Sequence, residues 1–287
     1  TINGIAPSDP RYLATALGRG RVLLSAISNN PQNFNPGTLR RLLGDVDRGS
    51  RLVFYQVENG TTDAALAAIA ARRTPPRVTF STASGVTVDQ LTGTNRFQVA
   101  FSGVTVTAET TTTTAALGTN LQTGQEGEVI DLRGITGQVR AEFTVNREAA
   151  FNNFVGFYRV DDARGTIGHL APSTSQDYIR AALDRLVPGI NLSVDNQGRA
   201  QFTGQFAGGS IFAPFLITNG GTIDQARNGT LNTAGNQGIY FPYLAANFAG
   251  ADHFRMLGEN VWGIEDLRGG GDADYNDMII TARLTVI

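Results

Sequence analysis

The sequence predicts a mainly β fold: β-sandwich-like units with a few short helices, related as a degenerate tandem duplication. Three observations carry this. Short runs rich in Val, Thr and Phe, several of them alternating apolar with polar residues, recur between glycine-bearing breaks, as half-buried strands joined by tight turns require. The composition agrees: 34 of 287 residues are Gly and only 17 % are charged, against about 25 % charged in an average globular chain. Finally, three segments of the first half return in the same order in the second half.

Taken in chain order, Pro10 to Leu43 reads as partly helical, since Tyr12, Leu13, Ala16 and Leu17 follow a Ser8-Asp9-Pro10 start at helical spacing. Arg51–Val57 is a strand closed by Asn59-Gly60. Asp63–Arg73 is an alanine-rich helix with an acid at its start, two arginines at its end and Pro75-Pro76 to stop it. From Arg77 to Ala108 the pattern is β, and the five threonines Thr110–Thr114 form a loop or an exposed edge. The polar, glycine-bearing run Thr119–Glu128 reads as a linker. Strands follow at Glu142–Val145, Phe154–Val160, Ile190–Val194, Ala200–Phe206, Ile211–Ile217, Ile239–Leu244 and Met278–Ile287, with a helix at Ser175–Leu186. This organises the chain as a degenerate N-terminal β-rich unit at 1–118, a linker at 119–140 and a C-terminal β-sandwich-like unit at 141–287.

The repeat is specific. RYLATAL at Arg11–Leu17 matches DYIRAAL at Asp177–Leu183, and RLVFYQVENGTTDAA at Arg51–Ala65 matches IFAPFLITNGGTIDQA at Ile211–Ala226 with one inserted residue. Asp63 precedes Phe80 by 17 residues, and Asp224 precedes Phe241 by 17. The second copy opens with the two strand-like pieces of Ala141–Val160, for which the first shows no counterpart. The segment 129–145, or a neighbouring molecule, fills that place.

Composition excludes several functions. There is no Cys, and all 23 basic residues are Arg. Disulfides, thiolate catalysis, Schiff-base lysines and nucleotide-binding lysines are therefore absent. A net charge of −2 does not suit a nucleic-acid or polybasic membrane-surface protein. No apolar run approaches the ~18 residues of a membrane span, so no membrane insertion is expected. With two His, no serine elbow and no separated carboxylate pair, an enzyme is not expected. No signal peptide stands at the start, and the expectation is a mature chain outside the cell or on its surface.

The segment that carries chemistry is VWGIEDLRGGGDADYND at Val261–Asp277, where six acids or amides fall within 13 residues: Glu265, Asp266, Asp272, Asp274, Asn276 and Asp277. Asp272, Asp274 and Asn276 alternate, so a tight loop converges their oxygens on one ion, as hard-cation loops do. The three glycines before them let the backbone fold close. An oxygen-only donor set selects Ca²⁺, Mg²⁺ or Mn²⁺ over zinc or copper, and Ca²⁺ is the cofactor expected. This is not a helix–loop–helix calcium hand: Asp277 stands where that loop needs Gly, Arg283 stands where it needs Glu, and a strand follows. Glu265 and Asp266 are the further ligands, folding back from the other side of the glycines. The bland alternative is a solvated acidic turn in which Asp277 bonds backbone N–H groups. Trp262 reads as the core anchor of the loop. His253 reads as a structural histidine beside a core aromatic, and His169 as a loop residue.

WGIEDLRGGGDADYNDMII resembles the C-terminal signature of the domain-of-unknown-function family 4114. FVGFYRVDD at Phe154–Asp162, the helix starting near Tyr178 and ADHFRML at Ala251–Leu257 fit it as well, so the resemblance covers about 141–287. It implies a calcium-associated β module of large secreted or surface-attached bacterial proteins, mostly cyanobacterial, with the first copy as a degenerate second unit.

The function expected is thus an extracellular or cell-surface structural module stabilised by calcium in its acidic loop. Self-association by strand addition, into a filament or layer, follows from an exposed sheet edge and from the absence of the lysines that commonly blunt such edges. A carbohydrate-binding or adhesion module is the alternative, with Trp262 or Tyr275 stacking on a surface polysaccharide beside the ion.

Overall fold

A computed structural model describes residues 1–27, 29–44, 51–122 and 127–287. The chain divides into two units, Thr1–Val22 with Leu43–Thr114, and Leu23–Leu42 with Ala115–Ile287. Both are built mainly from antiparallel sheets with short helices.

In the first unit, α1 (Tyr12–Arg19), β1 (Tyr55–Val57), α2 (Thr62–Ala70) and β2 (Val78–Phe80) precede a three-stranded meander, β3 (Thr87–Gln90), β4 (Arg96–Phe101) and β5 (Val104–Glu109). The strand expected at 51–57 contracts to its last three residues. Among the described residues β1 pairs with β2 alone, and Leu52 and Val53 stay 46 % and 42 % exposed. Thr110–Thr114 is exposed and lies outside any strand.

The second unit holds β6 (Ile130–Asp131), β7 (Gln138–Arg147), β8 (Phe154–Val160), α3 (Gln176–Asp184), β9 (Arg199–Ala207), β10 (Ile211–Ile217), α4 (Ile223–Asn228), β11 (Ile239–Tyr240), β12 (Phe254–Gly258), β13 (Val261–Ile264) and β14 (Met278–Val286). One sheet runs β12-β13-β14-β7-β9. The other centres on β10, paired along all seven residues with β8, while β6 and β11 share its opposite edge. Alternation on β7 sends Val139, Ala141, Phe143 and Val145 into the space between the sheets, where they meet Phe157, Phe212 and Leu216. The opposite face of the β10 sheet is covered by Tyr178, Ala182 and Leu183 of α3 and Ala226 of α4. Hence every residue of β10 is buried and it reads as an unbroken apolar run. On the outer face of the five-stranded sheet, Leu257, Val261 and Ile279 are covered by Ile27, Phe34 and Leu39.

That arm, residues 23–42, corrects the boundaries read from the sequence. Its backbone bonds to the β12–β13 hairpin, Ser25 N to Met256 O at 3.0 Å and Glu259 N to Arg40 O at 3.0 Å. The linker expected at 119–140 is also structured where described. Gln122 is buried and donates to Asn260 Oδ1 at 2.8 Å, and Val129 to Leu132 are buried beside β10. Residues 123–126 of that segment lie outside the described ones. Residues 129–145 supply β6 and most of β7 to the second unit, so they do not fill the gap in the first copy. Ile190–Val194 makes a single bridge, Leu192 to Val155. The strand expected at 239–244 stops at Tyr240. Pro242 has no N–H to give, and the Asn247 side chain takes both backbone groups of Phe241, at 2.9 and 2.8 Å.

The two copies share their turn, their helix cap and two register pairs. Val57 faces Val78 and Gln56 faces Thr79 in the first, and Ile217 faces Ile239 and Leu216 faces Tyr240 in the second. Glu58 N bonds Arg77 O at 2.9 Å, as Thr218 N bonds Gly238 O at 3.0 Å. Asn59 and Asn219 both turn with φ of 50°. Thr61 caps α2 and Thr222 caps α4. Tyr12 lies 5.8 Å from Phe80, and Tyr178 lies 5.5 Å from Phe241, between ring centroids.

Candidate metal centre

The acidic residues sit where β13 ends and β14 begins. β13 pairs with β14 through Val261–Gly263, and Ile264 bridges to Asn276. Glu265 and Asp266 leave one strand as Asp277 enters the other, and the loop between them carries Asp272 and Asp274. Glu265 N bonds His253 O at 3.0 Å, and His253 Nδ1 lies 2.9 Å from Glu265 O. This fixes the Glu265 backbone to the neighbouring strand β12. The loop turns back through Gly269, Gly270 and Gly271, all with positive φ. Gly271 is required twice over: its φ is left-handed, and a Cβ there would collide with Glu265 Oε1.

The result is five carboxylates in two groups. Oxygens of Glu265, Asp272 and Asp274 lie within 4.8 Å of one another, as do oxygens of Glu265, Asp266 and Asp277. Glu265 is 1 % exposed and its Oε2 has no hydrogen-bond partner. A buried carboxylate oxygen left unsatisfied costs stability, and it marks a place where something positive or protonated belongs. Asp266 is oriented by Asn153 Nδ2 at 2.6 Å, and Asp277 Oδ2 accepts from Asp266 N at 2.7 Å. Asn276 is held by its amide nitrogen, which donates to Asp274 Oδ2 at 2.6 Å and to Asn29 O at 2.7 Å, bonds that do not involve the Oδ1 through which it would ligate. It positions Asp274 and ties the loop to the 23–42 arm.

The electrostatics follow from crowding. Burial, then the adjacent Asp277 charge, pushes the Glu265 carboxyl up to about 8. Burial and the Asp266 charge push Asp277 the same way. Asp274 is raised by burial and by Asp272. Arg147 is the guanidinium that acts on Asp266 and Asp277. Such mutual repulsion in a shielded place is what a hard cation relieves.

The aromatics are not open. Trp262 is 1 % exposed, packs edge-on to Phe157 at 5.8 Å and donates from Nε1 to Glu128 O at 2.9 Å. Tyr275 is 6 % exposed beneath the Arg255 guanidinium, 4.4 Å from its ring centroid. His253 is fully buried and stacked on Tyr240 at 3.8 Å, whereas His169 is exposed. Asn153, Arg147 and the Asn29 carbonyl were not legible in the sequence. Each reaches the site through the fold, and none stands in a motif.

Residues 206–285 match a family model described as Domain of unknown function (DUF4114). The family resemblance read from the sequence is thus found over the segment from the end of β9 to β14, which contains the acidic loop. No curated protein and no solved structure matches the chain.

Proposed function

We propose that this chain is an extracellular or cell-surface structural module whose second unit is stabilised by calcium bound in the acidic loop. The observation that carries the reading is Glu265: a buried carboxylate, with one oxygen unpartnered, set among four others. Without a cation these groups repel or hold protons. With one, the end of β13 and the start of β14 are clamped together. Extracellular modules bind calcium at ~10⁻⁴–10⁻³ M, so such a clamp is loaded outside a cell and empty inside. Stabilisation would reach about 2.7 kcal/mol at a hundredfold excess over Kd. Burial of Trp262 and Tyr275 supports the structural reading over the carbohydrate-binding one, which needs an exposed aromatic beside the ion. Self-association by strand addition remains part of the proposal. Its support is the segment leading into β1, where Leu52 and Val53 are exposed and outside any strand while their counterparts Phe212 and Ala213 lie buried at 4 % and 0 % under strand pairing with β8.

The deciding experiment is a thermal melt of the chelator-treated chain with and without millimolar calcium, repeated on the Asp272→Ala/Asp274→Ala variant. A rise in Tm that the variant loses supports the clamp. An unchanged Tm in both proteins reduces the loop to a solvated turn.

A further inference from the structure

We infer that the loop holds two adjacent divalent cations, bridged by the Glu265 carboxylate; this rests on the calcium reading and deepens it. Calcium takes oxygen ligands at about 2.3–2.6 Å, so oxygens sharing one ion lie at most about 5 Å apart. Each of the two carboxylate groups meets that limit, with its oxygens within 4.8 Å of one another. The groups share Glu265 alone: Asp272 and Asp274 complete one, Asp266 and Asp277 the other. A carboxylate common to two ligand sets is the bridge of two-metal sites, where the ions sit about 3.5–4 Å apart.

Two further observations point the same way. Glu265 is 1 % exposed, and its Oε2 has no partner. One oxygen toward each ion would satisfy both. Charge agrees. Five ionised carboxylates carry five negative charges, and the Arg147 guanidinium acts on Asp266 and Asp277, so the charge of the cluster matches two divalent cations more closely than one. The two positions differ in surroundings. The Asp266–Asp277 position is shielded and its ligands are held by Asn153 and the Asp266 backbone. The Asp272–Asp274 position opens to solvent, Asp272 being exposed. Binding should therefore be stepwise, with the shielded position filling first.

The test is calcium stoichiometry on the full chain, by equilibrium dialysis with direct metal analysis and by titration calorimetry after chelator treatment. Two calcium ions per chain are expected, with Asp274→Asn leaving one. Asp266→Asn should also leave one, and Glu265→Gln should weaken both steps by at least tenfold. Circular dichroism of each variant shows whether it is folded, and the wild-type count stands by itself if a variant is not. One ion per chain at saturating calcium overturns the two-cation inference and leaves the calcium clamp intact. No bound ion overturns the clamp itself.

Discussion

The strand–turn–helix–strand of the first unit and its counterpart in the second are the same local plan placed in different surroundings. In both, an asparagine takes the left-handed turn, a threonine caps the helix and the returning strand finds the same register. Yet β10 is buried along its whole length, while β1 is half-buried and short. The difference lies in what covers them. β10 has β8 on its edge and β7, β14 and α3 across its faces. Local chemistry sets the turn, the cap and the register, and burial is a property of the layers around them.

The largest test of this contrast is the aromatic that ends each plan. Phe241 is fully buried between Tyr158 and Tyr178, at 5.6 and 5.5 Å between ring centroids. Phe80 touches Tyr12 and Tyr55 at 5.8 and 6.1 Å but is only half-buried. Phe241→Ala should cost about 3–5 kcal/mol, and Phe80→Ala about 1–2 kcal/mol because part of its ring already meets water. Amide hydrogen exchange resolved by unit measures both. Equal losses would show that the two environments are energetically alike and break the comparison.

The second contrast is the acidic loop, which the first copy lacks. Glu265 and Asp277 are raised in the folded chain, so without metal the native state holds protons that the unfolded chain has released. Stability of the second unit must then fall as pH rises from the ordinary carboxylate range toward about 8. His253 acts oppositely at lower pH. Burial holds it at about 4 against 6.5 unfolded, so its contribution is present above 6.5 and lost as pH falls toward 4. The clean window is therefore pH 6.5 to 8. In chelator, urea titrations followed by Trp262 fluorescence should show a loss on the order of 2 kcal/mol across it. Calcium requires the deprotonated carboxylates, so its stabilising effect should grow over the same window. Asp277→Asn should reduce the pH slope, leaving the part that burial of Glu265 causes, stabilise the metal-free chain by about 1 kcal/mol and blunt the calcium response. A chelated protein whose stability is flat from pH 6.5 to 8 would contradict the crowding at Glu265.

Much of this was legible in the residues, and the failures have physical causes. The strand pattern identified the centre of β7, at 142–145, and most of β9, start and stop signals identified α1 and α2, and 175–186 read as the helix α3. The hairpin of β12 and β13 escaped for two reasons: β13 is buried on both faces and shows an apolar run instead of alternation, and β12 has five residues with the charged Arg255 among its buried apolar ones. α4 has only six residues and no periodic stripe to read. The linker at 119–140 failed because polarity signals a loop only when the polar groups meet water. Gln122 instead bonds Asn260 in the interior. At the candidate site, all five carboxylates came from one stretch and were visible as such. Their division into two groups was not, because it depends on how Gly271 lets the loop fold back over Glu265.

The smallest effect sharpens the comparison most, because it tests the local plan alone. The Thr61 side chain accepts from Ala64 N at 2.8 Å, and Ala64 has no side-chain oxygen to return the bond. Thr222 accepts from Gln225 N at 3.1 Å, and Gln225 Oε1 accepts from Thr222 N at 3.0 Å, a reciprocal pair of bonds. Thr61→Ala should cost about 0.5–1 kcal/mol and Thr222→Ala about 1–2 kcal/mol, within the range for lost caps. Each variant removes one of the two bonds, and Gln225→Ala should cost less than Thr222→Ala because it leaves the helix donor Gln225 N satisfied by Thr222 Oγ1. Denaturant titrations with exchange read at the first turn of each helix distinguish these. If Gln225→Ala costs nothing, the reciprocal bond contributes nothing, and the two helices are capped alike by their threonines.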